Sequence, residues 1–536
     1  MDAQSTNQRR MIRAADIVKV DKVPVSRRSL LKLGLLGSVA AATTLAGIDA
    51  LAWAPLRNIA EAATFPNIQF DIGSFLGPVV TYNQVPIHFG PVYTVFLSAR
   101  LNRTPTKSDQ TVLAGALNAI ESHYAFSPSG VFTIISYGLP YFRRLPGGLT
   151  GSLVSGNMPR LLSNTSRFAL EEAVPSPTDV SSANPNIHKT TFNVPVVIES
   201  NDVLFSFRSD NLSNVTNVIS WLQGSNSLNG SAVTSPAFNG LFTYTSMRTM
   251  FVQMSLPHFT AQENHLPYTS SINPDSPMWM GFTDQQVAGS GPATITTFQG
   301  NSSAVLTNAT SSSYFADGSI QHFSHVIEDL AQFYASPDEP YTERAQYMFR
   351  SDPIPDLGNG DQFSNGGGVA HLQNDASVFL HYKSLGTTEA IATAASPNTA
   401  NDPQPASNPT PADRGTKKPR MGHLSALQQN SRAADGTPLH IRMDGPGFDS
   451  MDVPGGSNQP KLEFSVFVPS AEFFRVMREG TAALNFQAFE AGLGGSPTGT
   501  VDADDNGLER FLTATRRQNF LVPPRLHRAF PLLELT

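Results

Sequence analysis

Val203-Leu-Phe-Ser-Phe207, the segment Asn211 to Leu222 and the segment Leu241 to Met254 succeed one another as strand, helix and strand. The first is short, apolar and rich in residues that suit a pleated surface. The second sets Val215, Val218, Ile219 and Leu222 on one face at helical spacing. The third returns with partial alternation, as a strand does. Such a unit with antiparallel partners restricts the chain to an α+β sandwich of the ferredoxin-like type.

The same grammar recurs on both sides. Val92 to Ala99 and Val131 to Tyr137 read as strands around a helix from Ser108 to His123, which Ser108 or Asp109 can cap. Pro146 to His188 is irregular, and Val194 to Ile198 reads as a strand. Ile320 to Phe333 fits either a strand or a helix. Leu462 to Val468 is a strand, and Ser470 to Leu484 a helix. Leu508 to Thr515 is a short closing segment, and Phe520 to Pro524 a terminal strand. No sequence repeat links the two parts. Thr387 to Lys418 is dominated by Ala, Ser, Asn, Pro and Thr, builds no core and reads as a solvated insertion.

The chain has 536 residues, 40% hydrophobic and 15% charged, enough for one large or two medium domains. A net charge of −7 gives no argument for a nucleic-acid partner. The absence of cysteine excludes disulfides, thiolate ligation, iron–sulfur clusters and cysteine nucleophiles. No Gly-X-Ser-X-Gly elbow, P-loop or His-Glu-X-X-His motif occurs.

Ser26-Arg27-Arg28-Ser29-Leu30-Leu31-Lys32 is a twin-arginine motif ahead of the moderately apolar run Leu33 to Ala52. The small residues around Ala60-Glu61-Ala62-Ala63 suit a cleavage site. Residues 1–63 therefore read as a signal for the twin-arginine export machinery, with a periplasmic or extracellular destination. An uncut N-terminal anchor helix is the competing reading.

His423 and Arg442 stand out as chemistry-bearing residues. Imidazole is a common axial ligand of haem iron, and a fixed guanidinium stabilises negative charge on a bound peroxide. His440 rivals His423 as the ligand, since in a strand it would share the face of Arg442. Met280-Gly-Phe-Thr-Asp284 offers a carboxylate that suits proton transfer; its bland reading is a turn. His322, His325 and Glu328 would share one face only if their segment were a helix, where they could form a metal pair.

Three stretches together resemble the dye-decolorising peroxidases, in their exported twin-arginine branch. These are Gly281 to Asp284, the spacing from His423 to the Leu-His-Ile-Arg442 strand, and the end from Arg517 to Arg528. Gln285 stands where that family's motif closes on glycine. The resemblance implies a fold of the dimeric α+β barrel type: two ferredoxin-like halves with antiparallel sheets in one chain, residues 64–280 and 281–536, the second binding haem b. It implies His423 as the iron ligand, with Asp284 and Arg442 on the opposite haem side. Hydrogen peroxide and small phenolic or dye-like donors are the implied substrates, and homo-oligomers the implied assembly. A non-catalytic haem-binding or haem-handling protein on the same fold is the alternative. An exported structural or interaction protein without haem is a third class.

Overall fold

The computed structural model of the chain describes residues 65–171, 191–280, 293–300, 306–335, 440–471 and 509–536, apart from 79, 83, 84, 88, 163, 273 and 275. Six elements make the first half: β1 (Tyr93–Leu101), α1 (Lys107–His123), β2 (Phe132–Gly138), β3 (Val203–Ser209), α2 (Leu212–Leu222) and β4 (Phe242–Phe251). Across the sheet the strands run β2-β3-β1-β4, every neighbour antiparallel. That is the order a βαββαβ chain gives when each crossover helix returns over the same face. The α1 start lies earlier than Ser108. Thr106 is the cap, its hydroxyl accepting from Asp109 N–H while the Asp109 carboxylate accepts from Thr106 N–H. Asn211 caps α2 through Ser213 N–H.

The second half repeats the order with β5 (Ser319–Glu328), α3 (Leu330–Ala335), β6 (Ile441–Arg442), β7 (Gly445–Asp449), β8 (Gln459–Val468) and β9 (Leu512–Val522). Its strands run β6-β8-β5-β9, with β7 also on β8, all antiparallel. The mixed α+β expectation, with antiparallel sheets in two ferredoxin-like halves, is thereby borne out.

Three local readings change. Ile320 to Phe333 is strand first and helix afterwards. The closing segment and terminal strand are one strand, β9, whose polar run Arg516 to Asn519 hid its continuity. Of Val194 to Ile198 only Val197–Ile198 is a strand, exposed and parallel to β9. The insertion 387–418 lies outside the described residues, as does all but the start of the segment 470–484.

The two half-sheets join where β9 pairs with β2, at Phe520–Gly138 and Leu521–Tyr137. Beyond those two positions side chains complete the seam. Gln69 accepts from Ile135 N–H at 3.0 Å and donates to Ile135 O at 3.1 Å and Pro523 O at 2.7 Å. Gln518 accepts from Asn201 N–H and donates to Asn201 O. At the opposite side β7 closes on β4: a Cβ at Gly445 would fall 2.5 Å from Val252 Cγ2. Phe96 of β1 and Phe323 of β5, four strands apart in the order, meet with ring centroids 4.3 Å apart. The sheet is thus curled into a barrel. Its interior holds Phe96, Ile134, Leu204, Met250, Phe323, Met443, Phe467 and Phe520. On the outside of the first half Val95, Leu97, Ile135, Val203, Phe205 and Phe207 pack under α1 and α2. Among the described residues no helix is long and apolar enough to cross a membrane.

Candidate functional site

The outer face of the second half breaks the apolar pattern of the first. Ile320, Val466, Val468 and Leu521 continue the hydrophobic layer at one end. Beyond them the outward positions are His322 and Ser324 on β5, Arg517 and Asn519 on β9 and Arg442 on β6, in register across the sheet. Glu328 lies in step with His322 and Ser324 on β5. His322, Ser324, Arg517, Asn519 and Glu328 are all buried, and Arg442 is half-buried. Buried polar side chains on a sheet face cost stability unless they are partnered, so such a face signals a task other than packing.

Its hydrogen bonds set orientations. Asn519 Oδ1 can only accept, so His322 Nδ1 donates to it at 2.7 Å. Nε2 of a neutral imidazole then accepts the Ser324 hydroxyl at 2.5 Å. Burial pushes the Arg517 guanidinium down to about 9, which leaves it charged at neutral pH. Burial, with the charge of Asp444 adding to it, pushes the Glu328 carboxyl up to about 8. The face therefore presents guanidinium charge, an oriented imidazole and a neutral carboxylic acid together.

His325 shows why the helical metal pair fails. On a strand, residues three apart face opposite sides, so His322 points outward and His325 into the barrel. There His325 Nδ1 lies 2.7 Å from Glu463 Oε1 and Nε2 3.5 Å from Asp449 Oδ1. Burial opposes its charge, but the two carboxylates outweigh burial and raise its pKa to about 8. The three side chains offer ligand atoms within 4.8 Å of one another. Lys461 Nζ, however, already stands 3.7 Å from Asp449 Oδ1 and donates to Met451 O. With His325 protonated, two cations balance two carboxylates without an ion.

A second ionic chain continues from there. Arg516 grips Asp452 through Nε and Nη2 at 2.6 and 2.7 Å and approaches Glu199 at 3.5 Å. Glu199 in turn accepts from Arg248 Nη2 at 2.6 Å. Sequence reading missed both networks, because their members come from separate strands and obey no local spacing.

Of the residues expected from sequence, Arg442 is placed on the polar outer face. His440 is buried just before β6. Asp284 and His423 lie outside the described residues, as do residues 1–63. The lead-in to Asp284 is anchored: Trp279 Nε1 donates to Gly447 O at 3.0 Å, and Tyr334 OH donates to Trp279 O at 2.7 Å. Gly447 belongs to β7, which follows directly on the strand of Arg442.

Several solved structures resemble the chain. A dye-decolorizing peroxidase (DyP) from Bacteroides thetaiotaomicron aligns with a TM-score of 0.41 and 12% identity, over 85% of this chain and 97% of that one. The encapsulated DyP-type peroxidase from Mycobacterium smegmatis gives 0.40 and 14%, over 84% and 96%. A Shewanella oneidensis protein described as a dyp-type peroxidase gives 0.44 and 12%, over 84% and 96%. Likenesses this distant say nothing of activity. No curated protein matches the chain. A family of unknown function (DUF7405) matches residues 168–524. That span is more than half of the sequence and takes in both networks and the polar outer face, and the chain belongs to this family.

Proposed function

We propose that the protein is an exported haem peroxidase that uses hydrogen peroxide to oxidise phenolic or dye-like one-electron donors. The observation that carries the reading is the position of Arg442 on a buried polar sheet face whose counterpart in the first half is apolar. The motif spacing from His423 to Arg442 supports it.

The described residues suit haem b. Arg442 and the buried Arg517 supply positive charge for a porphyrin's carboxylates and for a peroxide anion. The histidine that would ligate the iron is His423. Haem, when bound, supplies the one-electron redox chemistry with peroxide. Arg442 would stabilise charge developing on the peroxide, and Asp284 would move a proton between its two oxygens. The twin arginines at 27 and 28 direct the chain to the export machinery.

The test is the Soret band of the purified protein. His423→Ala should abolish it or cut haem occupancy severely, while His440→Ala should keep it. Full haem content with an unchanged axial-ligand spectrum in His423→Ala excludes the assignment. Haem binding without peroxide turnover would instead identify a haem-handling protein.

A further inference from the structure

The inside of the barrel carries a second polar feature, on the opposite side of the sheet from Arg442. Interior positions on β1 and β4 alternate with the helix-covered ones, so Phe96, Ser98, Ser246 and Arg248 face inward. Ser98 and Ser246 are direct cross-strand partners, and Arg248 stands opposite Phe96. Arg248 lies over the Phe323 ring, 4.8 Å from its centroid. The segment before β3 crosses this end of the barrel. Its Glu199 accepts from Arg248 Nη2, and its Asn201 Oδ1 accepts from Thr245 at 2.7 Å. Glu199 and Asn201 are thereby fixed beside Ser246 and Arg248.

Arg248 Nε and Nη1, Asn201 Nδ2, Ser98 Oγ and Ser246 Oγ are buried with no hydrogen-bond partner among the described residues. Arg248 and Asn201 are each 1% exposed, Ser98 0% and Ser246 3%. The nitrogens can only donate, and the hydroxyls can donate as well. Leaving such groups unsatisfied in a low-dielectric interior is destabilising, most of all for a charged one. A lone water can accept few of these donors, whereas an oxyanion can accept from all of them. The ion chain sets two arginines against two carboxylates but shares them unevenly. Arg516 has both oxygens of Asp452 and a share of Glu199, while Arg248, the terminal cation, has a single Glu199 oxygen.

We propose that this mouth of the barrel is a binding site for a small oxyanion, held by Arg248, Asn201, Ser98 and Ser246. The near-complete burial of all four restricts it to an ion of few atoms. The site is independent of the haem proposal, since it lies on the other face of the sheet.

Nitrate is a suitable probe, titrated calorimetrically into the full chain with ionic strength balanced by gluconate, which is too bulky for a closed site. Saturable one-to-one binding is expected, with a rise in melting temperature that gluconate does not give. Asn201→Asp keeps the bond from Thr245 but turns a carboxylate toward the anion, and should weaken nitrate at least tenfold. Ser98→Ala with Ser246→Ala should weaken it severalfold, and Arg248→Gln should abolish it. If Arg248→Gln does not fold, the other two variants carry the test. Arg442→Leu should leave nitrate binding intact. The proposal is overturned by unsaturable nitrate in the wild type, which means that water fills the place. It is equally overturned by binding that survives Asn201→Asp and the double serine variant, or that disappears in Arg442→Leu.

Discussion

His325, fully buried between Glu463 and Asp449, keeps its proton to about pH 8, whereas an unfolded chain releases it near 6.5. The folded state therefore holds a proton that the unfolded state loses over this window. The stability it confers is complete below about 6.5 and gone above about 8. The displacement corresponds to about 2 kcal/mol. Glu328, raised from 4.5 to about 8, slopes the same way over a wider range, so the useful quantity is the gap between wild type and His325→Gln. That gap, measured by urea unfolding, should shrink by about 2 kcal/mol from pH 6 to pH 8.5; a constant gap would sink the assignment. Arg442 and Asp284 differ in another way. Under the peroxidase proposal, loss of a donor to transition-state charge costs about 10²–10³ in rate, and Gln285 stands where the motif of the dye-decolorising peroxidases closes on glycine. Arg442→Leu should thus slow peroxide consumption more than Asp284→Asn, in stopped-flow records at matched haem content. The reverse order would mean that the Asp284 loop is well placed despite Gln285. The strand that carries Arg442 was legible in the sequence because the Leu-His-Ile-Arg pattern is local. His325 was not, because its partner Glu463 is 138 residues away and only the pairing of β5 with β8 unites them.

At the scale of elements, strands and helices with an apolar stripe were readable, as α2 shows with Val215, Val218, Ile219 and Leu222 all buried. β9 was not, since Arg516 to Asn519 interrupt its apolar character. Arg516 serves the interior network, and Gln518 the seam, while Arg517 and Asn519 serve the outer face. Where a strand is polar on both faces, periodicity cannot find it. The seam between β2 and β9 yields its own prediction. A Cβ at Gly138 would come within 2.2 Å of Asn201 O and 2.4 Å of Gln518 Nε2. Gly138→Ala must therefore push apart the backbone and amide that complete the joint. The expected loss is about 1–3 kcal/mol, the usual range for overpacking, read as a lower denaturation midpoint at unchanged m-value. An unaltered midpoint would show that the seam has slack.

For the whole molecule, two ferredoxin-like halves without sequence similarity share one antiparallel strand order, one of the few that short, uncrossed connections permit. Their outer faces have diverged, one into plain core and one into a polar surface. The export reading belongs to this scale as well. Replacing Arg27 and Arg28 by Lys should strand the precursor in the cytoplasm, as fractionation and immunoblotting would reveal; normal export of the double variant would refute it. The seam adds a consequence for processing. Gln69 supplies from its side chain the bonds that β2 and β9 lack, and Arg525 holds the residues just before it through Pro66 O and Asn67 O. A peptidase trimming inward from the amino end spares all of these contacts if it halts before Pro66. Were the signal removed near Ala63, as the export proposal holds, a cut only a few residues further in would take Gln69 and with it a staple from the barrel wall.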